Sequence, residues 1–293
     1  MDLKRLKVFV TVVEQGGFSA AARVLHMAQP AVSIAIMKLE EELGVSLFDP
    51  AVNRRQLTHE GEHLLQHATH VLREVEVLQE ELNGLRGMLV GQLSLACPSI
   101  LATYFLPGLL GMFMTEHPQL TASISQYGTK DIEQNLRGRM IDLGVIVGEL
   151  PENHSELEVV PLIQQRLCLA VNEKHKFAHR SYVRYTDVHR LPMFIYESGY
   201  YIRDAFMHEC NLAGAEPDLR LQANFLPLLL QMVRDGGGAT LGLELMRERE
   251  TDLRLLPLVP ATKVQLMLAK PKNKTLSVTN QAFFDWMKSY LDA

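Results

Sequence analysis

Between Phe18 and Leu43 the chain reads FSAAARVLHMAQPAVSIAIMKLEEEL, a pattern that few folds accommodate. Upstream of it, Leu3, Leu6, Phe9, Val10 and Val13 share one face of a helix over residues 3–14. Gly16-Gly17 stops that helix, because glycine tolerates the left-handed conformation that ends one. Ser19 offers an N-cap for a short helix through Ala20, Ala21, Ala22 and Leu25, whose alanines let another helix approach closely. A third helix opens at Gln29-Pro30, where proline loses only an N–H that would be unpaired anyway, and closes at Gly44. Val32, Ile36, Leu39 and Leu43 point inward at spacings of four, three and four, leaving Ser33, Ile34, Met37, Lys38 and Glu41 outward. Two short helices around a tight turn form the arrangement that lays a second helix in the DNA major groove.

Residues 45–57, VSLFDPAVNRRQL, suit a short β-wing with Arg54 and Arg55 near its end. Thr58 can cap the following helix, and Glu60 and Glu62 in its first turn complement the helix dipole. Along that helix Leu64, Ala68, Val71, Val75, Leu78, Leu82 and Leu85 alternate spacings of four and three. Such an a/d seam predicts a coiled-coil-like dimer interface; the competing reading is a helix packed on its own domain. His59, His63, His67 and His70 include pairs at metal-binding spacing. No cysteine or second cluster completes a site, so they read as polar flanks, and no metal or cofactor is expected.

Charge does not single out a nucleic-acid binder. The whole chain carries −5, and residues 1–58 hold seven Lys or Arg against six Asp or Glu, a balance of +1. DNA binding would therefore rest on motif geometry and local charge placement. The hydrophobic share of 47% with 22% charged residues is that of a globular protein. No apolar run approaches the ~20 residues that span a bilayer, and MDLKRLKVFV lacks a cleavable-signal pattern. Cys97, Cys168 and Cys210 are too unevenly spaced for a disulfide framework or zinc site, which fits a reduced, cytoplasmic protein.

After Gly84, Gly87 and Gly91 the composition changes. The segments LSLAC, LTASIS, DLGVIVG, LCLAV, MFIYES, LRLQA, ATLGLE and VQLMLA alternate with helical stretches such as 104–116 and 225–234. That alternation predicts an α/β domain with a mostly parallel sheet, long enough for two lobes with a crevice between them. Gly236-Gly237-Gly238 lacks the context of a phosphate loop and reads as a turn before ATLGLE.

Taken together, the chain resembles a LysR-type transcriptional regulator over its whole length. The resemblance rests on Phe18-Ser19, Ala21-Ala22, Leu25, Gln29-Pro30-Ala31-Val32-Ser33, Leu39-Glu40, Leu43-Gly44, Leu47-Phe48, Leu57-Thr58 and Gly61. Leu106-Pro107, His117-Pro118 and LRGRMIDLG at 136–144 add to it. It implies an N-terminal winged helix-turn-helix over residues 1–58, a linker and dimerisation helix over 59–90, and a two-lobed α/β effector domain over 91–293, similar to periplasmic binding proteins. Lobe I is expected over about 91–161 and 267–293, lobe II over about 162–266. Departures from the pattern are Ala28 in place of a serine cap, Ile34-Ala35 after Ser33, and Pro50 and Asn53 at usual wing arginines. Fewer cationic phosphate contacts imply weaker binding and a shallower salt dependence, with more of the reading left to methyl contacts and DNA shape.

For DNA, the candidate residues are Gln29, Pro30, Ser33, Ile34, Met37, Lys38, Arg54 and Arg55. Gln pairs with adenine, Ser with several base edges, and Lys with guanine or phosphate; Arg54 and Arg55 suit phosphates. Ile34 and Met37 either meet thymine methyls or pack against the first helix or wing. For the effector, the resemblance implies Ser99, Ile100, Gly128, Thr129, Tyr196, Ser198, Tyr200, Arg203 and Phe225. Ser99 would start a helix whose free N–H groups favour an anion, and Thr129 stands where similar proteins hold a ligand carboxylate. Arg203 could instead form a surface salt bridge, and Phe225 could pack in the core. The reading is a regulator bound to double-stranded DNA at an interrupted palindromic operator, as a homodimer or homotetramer. A small organic or aromatic acid would bind between the lobes, and RNA polymerase is a further partner. No convergent nucleophile, base and orienting group marks an enzyme. The alternative is a constitutive binder with a degenerate or redox-responsive sensor.

Overall fold

The computed structural model describes residues 2–49, 56–84, 89–148 and 156–292. The chain divides into two compact units, residues 1–88 and 89–293. In the first, α1 (Leu3–Glu14) is capped by the Asp2 carboxylate, which accepts the Arg5 N–H. It ends where Gly16 takes φ +67, so that the Gly17 N–H returns to the Val12 carbonyl. α2 (Phe18–Val24) starts two residues earlier than its hydroxyl suggests: Gly17 is the cap, and Ser19 lies inside the first turn. His26, at φ 51, makes the turn, and α3 (Gln29–Leu43) leaves α2 at 109°.

Val32, Ile36 and Leu39 of α3 are fully buried against Phe9, Val12 and Ala21 in one core; Leu43 is not. One turn beyond Leu39, Arg5 of α1 still reaches Glu42 at 2.6 Å, but Leu43 remains open to solvent. α4 (His59–Gly84) is capped by the Thr58 hydroxyl, which accepts the Gly61 N–H at 3.0 Å and donates to the Ser46 carbonyl at 2.6 Å. A half-buried Glu40 carboxylate on α3 accepts the Leu47 and Phe48 N–H groups at 2.8 and 3.4 Å. The segment 46–48 is thereby clamped between α3 and α4. A single antiparallel bridge, Phe48 to Leu57, marks the base of the wing. The expected seam on α4 divides. Ala68 is buried in the unit's own core with Leu64 packed beside it, whereas Val71, Leu78 and Leu82 are exposed and Val75 is half-buried. Leu85 lies outside the described residues, as do Arg54 and Arg55.

The second unit opens with β1 (Gly91–Cys97), then α5 (Ser99–Tyr104), α6 (Leu106–Glu116), β2 (Leu120–Gln126), α7 (Thr129–Arg137) and β3 (Gly144–Gly148). The stretch expected as one helix over 104–116 breaks at Phe105, two residues before Pro107. A 16-residue strand, β4 (Leu157–Asn172), follows, then β5 (Val183–Arg184), β6 (Pro192–Ile195) and α8 (Tyr201–Leu212). The chain closes with β7 (Asp218–Gln222), α9 (Leu226–Arg234), β8 (Thr240–Leu243), β9 (Leu253–Val259), β10 (Lys263–Pro271) and α10 (Val278–Asp292).

The sheet is mixed rather than mostly parallel. Its order is β2-β1-β3-β10-β4-β9-β5, with β8 also on β4 and β6-β7 separate. β1 pairs parallel with β2 and β3, and β10 antiparallel with β3 and β4. The first half of β4 lies against β10 and the second half against β8 and β9, so both long strands run from one lobe into the other. Register slips between Ile163–Leu266 and Pro161–Met267, leaving Leu162 unpaired in a bulge that bends the ribbon. Buried deep in lobe I, Lys274 Nζ lies 2.8 Å from Asp142, whose second oxygen accepts from the Asn280 amide; the Asn280 side-chain oxygen in turn receives the Ser94 N–H.

Gly61 sets a sharp requirement on the first unit. A Cβ there would sit 2.1 Å from the Leu47 carbonyl oxygen, so two backbones must separate before alanine fits. Gly61→Ala is expected to destabilise the chain by about 1–3 kcal/mol. Gly108→Ala on α6, which meets open space, should be neutral or slightly stabilising. Urea unfolding of both variants checks this; equal midpoints would refute it.

Candidate functional site

Two sets of side chains stand out, one on each unit. On the first, the backbone of α3 presents residues 29, 30, 33, 34, 37 and 38 on a single face. Gln29, Pro30 and Lys38 are exposed and Ser33 is half-buried. Ile34 and Met37 are 48% and 44% exposed, too much for core packing and enough to meet a partner's methyl groups. The Gln29 amide donates to the Ser33 hydroxyl at 3.1 Å, which fixes both polar groups at the start of the helix. Ala28, the residue before it, supplies no side-chain cap. Lys38 makes no ion pair among the described residues and remains available to an anion. A face of hydroxyl, amide and ammonium groups around two apolar side chains can meet base edges, thymine methyls and phosphates in the major groove.

In the second unit, Ser99 opens α5 directly after β1, and Thr129 opens α7 after β2, with Gly128 as the preceding cap. Both hydroxyls thus stand at the carboxyl ends of strands, on the side where α/β folds hold ligands. From lobe II, Tyr196 follows β6 and is fully buried; its phenol oxygen accepts from the Ser99 hydroxyl at 3.2 Å. Burial raises the Tyr196 phenol well above its ordinary range, so it stays a neutral donor. Tyr200 stacks on Tyr196 with ring centroids 4.7 Å apart. The Thr129 hydroxyl accepts the Tyr201 N–H at 3.3 Å, and the Lys130 N–H donates to the Gly199 carbonyl at 3.2 Å. Lys130 Nζ lies 2.7 Å from Asp204.

Lobe I and lobe II therefore touch through their own polar groups. The space left among Ser99, Ile100, Thr129, Tyr196 and Tyr200 is about 20 Å³, room for one water. A second set of contacts joins the lobes along α5. There the Tyr104 hydroxyl donates to the Glu250 carboxylate, and Arg249 donates to the Thr103 carbonyl at 2.9 Å. Arg234 holds Glu250 and Asp252 from the lobe II side. Burial, with Glu250 second, pushes the Tyr104 phenol up, which keeps its proton on that bond.

Three of the residues expected at the effector site lie elsewhere. Ser198 is exposed in the turn before α8. Arg203 points away along α8 to the Gln222 side chain at 3.2 Å and to Asp204 at 3.5 Å. Phe225 caps α9 and is 59% exposed. Gly128 packs against the Gly199 backbone and approaches the cleft without lining it. Conversely, Val147, Tyr201 and Leu243 line the space unannounced. Of these only Tyr201 carried a signal, as the second tyrosine before Arg203 on one helix turn. The three histidines His59, His63 and His67 follow one another along α4, with ring centroids 6.4 and 5.2 Å apart. No group of three or more metal-binding side chains forms among the described residues.

A helix-turn-helix unit with an open reading face, joined in sequence to a two-lobed domain with a hydroxyl-lined cleft, defines a DNA-binding transcriptional regulator with an effector domain. The chain belongs to the LysR family. Residues 3–62 match the family's helix-turn-helix model, described as bacterial regulatory helix-turn-helix protein, lysR family. Residues 86–292 match the LysR substrate binding domain. The chain is 32% identical, over 86% of its length and 83% of the relative's, to the hydrogen peroxide-inducible genes activator of Pectobacterium carotovorum subsp. carotovorum. It is 28% identical, over the full length of both, to the HTH-type regulator YvbU of Bacillus subtilis. In fold it is similar to CbnR, a LysR family transcriptional regulator, with a TM-score of 0.72, 24% identity and 99% of each chain covered. CbnR in complex with its target DNA gives 0.70 at the same identity and coverage. No single helix among the described residues is long and apolar enough to cross a membrane.

The thiols bear on what this domain can sense. Cys97, Cys168 and Cys210 are free and buried, and burial raises all three, Cys168 to about 11 and Cys210 to about 12. The thiolate, the reactive form, would develop only as pH climbs toward those values. With Ellman's reagent at pH 8, the native chain should show no fast thiol, and three should appear in denaturant. One rapidly reacting native thiol would refute this.

Proposed function

We propose that a small organic or aromatic acid, held between the two lobes, controls this regulator. The observation that carries the reading is the convergence of the Ser99, Thr129 and Tyr196 hydroxyls at strand ends, beside the first N–H groups of α7. A carboxylate there would accept from those hydroxyls and from the Lys130 N–H, displacing the Gly199 carbonyl. Because the remaining space holds one water, the lobes must part for the acid to enter. Ligand binding would then shift the balance between closed and open forms.

On DNA, Gln29, Ser33 and Lys38 are assigned to base edges or backbone, Ile34 and Met37 to thymine methyls, with Pro30 at the helix entrance. Arg54 and Arg55 are assigned to phosphates. The exposed Val71, Leu78 and Leu82 of α4, with Val75 and Leu85 on the same seam, would join two copies into a homodimer that reads an interrupted palindrome. Assembly to a homotetramer, contact with RNA polymerase and action in the cytoplasm complete the reading. A second reading, constitutive binding with a degenerate sensor, draws on the closed cleft. A redox-responsive sensor is disfavoured by thiols whose burial keeps them protonated.

Gel shifts on the DNA upstream of the protein's own gene, with and without a panel of small acids, separate these readings. Ile34→Arg should weaken binding by roughly tenfold and relax preference at a thymine position, the discrimination of about one base contact. Unchanged site preference would show that this face does not read bases. Failure of every acid to alter the shift or the melting temperature would favour constitutive binding.

A further inference from the structure

The closed cleft has an open neighbour. On the other side of Tyr201, a cavity of about 590 Å³ lies between α7 of lobe I, α8 of lobe II and the crossover at 260–263. Thr129, Val147 and Tyr201 line both spaces, so the two share one wall. Its volume falls within the roughly 300–1,000 Å³ typical of small-molecule sites, whereas the cleft itself admits a single water.

The charges on its wall are unevenly used. Lys130 is paired with Asp204 across the lobes at 2.7 Å, and Glu133 with Arg137 at 2.7 Å. Glu209 on α8 and Lys263 at the start of β10 line the same cavity. Neither makes a hydrogen bond or ion pair among the described residues. One unpaired charge of each sign remains. A simple carboxylate would answer Lys263 but face Glu133, Asp204 and Glu209 together, and a simple amine would leave Lys263 alone. A molecule with one ammonium and one carboxylate satisfies both.

We infer that this cavity is a binding site for a small zwitterion of the free amino-acid type, seated between Glu209 and Lys263. The inference rests on the reading that a small molecule between the lobes controls the regulator, and it adds a second site beside the cleft, on the far side of Tyr201. The occupant would touch both lobes beside the Lys130–Asp204 pair. That pair, with Lys130 two-thirds exposed, is weak enough for a ligand to strengthen or break. Closure of the lobes would then be set from this side, with the inner hydroxyls following.

Titration calorimetry on the full chain with the twenty free amino acids at millimolar concentration tests this. At least one should bind, and its N-acetyl and amide forms, each missing one charge, should bind about tenfold more weakly or worse, the loss of one charge-assisted contact. Glu209→Gln and Lys263→Met should each cost about the same factor, while Lys288→Met, an exposed charge on α10 away from both spaces, should leave affinity unchanged. Circular dichroism melts should match the parent for all three variants. Should one of the two wall variants melt early, the N-acetyl and amide comparison on the parent chain still decides. The proposal is overturned if no free amino acid binds, or if charge removal from ligand and wall leaves affinity untouched. Binding lost in Ser99→Ala alone would also overturn it, placing the ligand in the cleft and leaving acid control of the regulator standing.

Discussion

Two strands decide what the effector domain can do. β4 and β10 pair along most of their length and continue from one lobe into the other, so the main sheet is shared between the lobes. The lobe I cleft groups hang from the main sheet: Ser99 from the end of β1, Thr129 from the turn after β2, Val147 from β3. The bulge at Leu162 gives the ribbon one place to bend, between the parts each lobe uses.

The polar contacts that join the lobes are individually modest. The Ser99–Tyr196 bond is buried and neutral, contributing on the order of 1 kcal/mol. The Lys130–Asp204 pair is partly exposed and worth about 0–1 kcal/mol. A handful of such contacts sums to a few kcal/mol, within the differential affinity a small ligand can supply. A cleft sealed by a large apolar surface would not yield to a millimolar or micromolar compound.

The first unit was the more legible in sequence, because its determinants are local. The spacing of Val32, Ile36 and Leu39, the Gly16 turn and the Thr58 cap each act within one or two helix turns, and each is seen in the structure. The errors there arose where tertiary context won. Gly17 took the cap from Ser19, and the unit's own core absorbed Ala68 and Leu64 from an unbroken heptad pattern. In the second unit, β9 (LRLLPLV) and the first half of β4 have no punctuation that distinguishes them from helix or loop, and their antiparallel pairing depends on partners about 100 residues away in sequence. Arg203 shows the limit for sites. Its type and position suited an acid ligand, yet α8 turns it toward Gln222, and no spacing rule reports which way a helix is rotated.

The clamp around residues 46–48 has a mechanical meaning. Glu40 holds this segment to α3, and Thr58 and the bare backbone of Gly61 hold it to α4. These contacts tie α3 to the long helix behind it through one short segment. A change in how two copies of α4 meet would be passed through this segment to both copies of α3. Tolerance for half-sites at different separations would then have to come from bending the DNA.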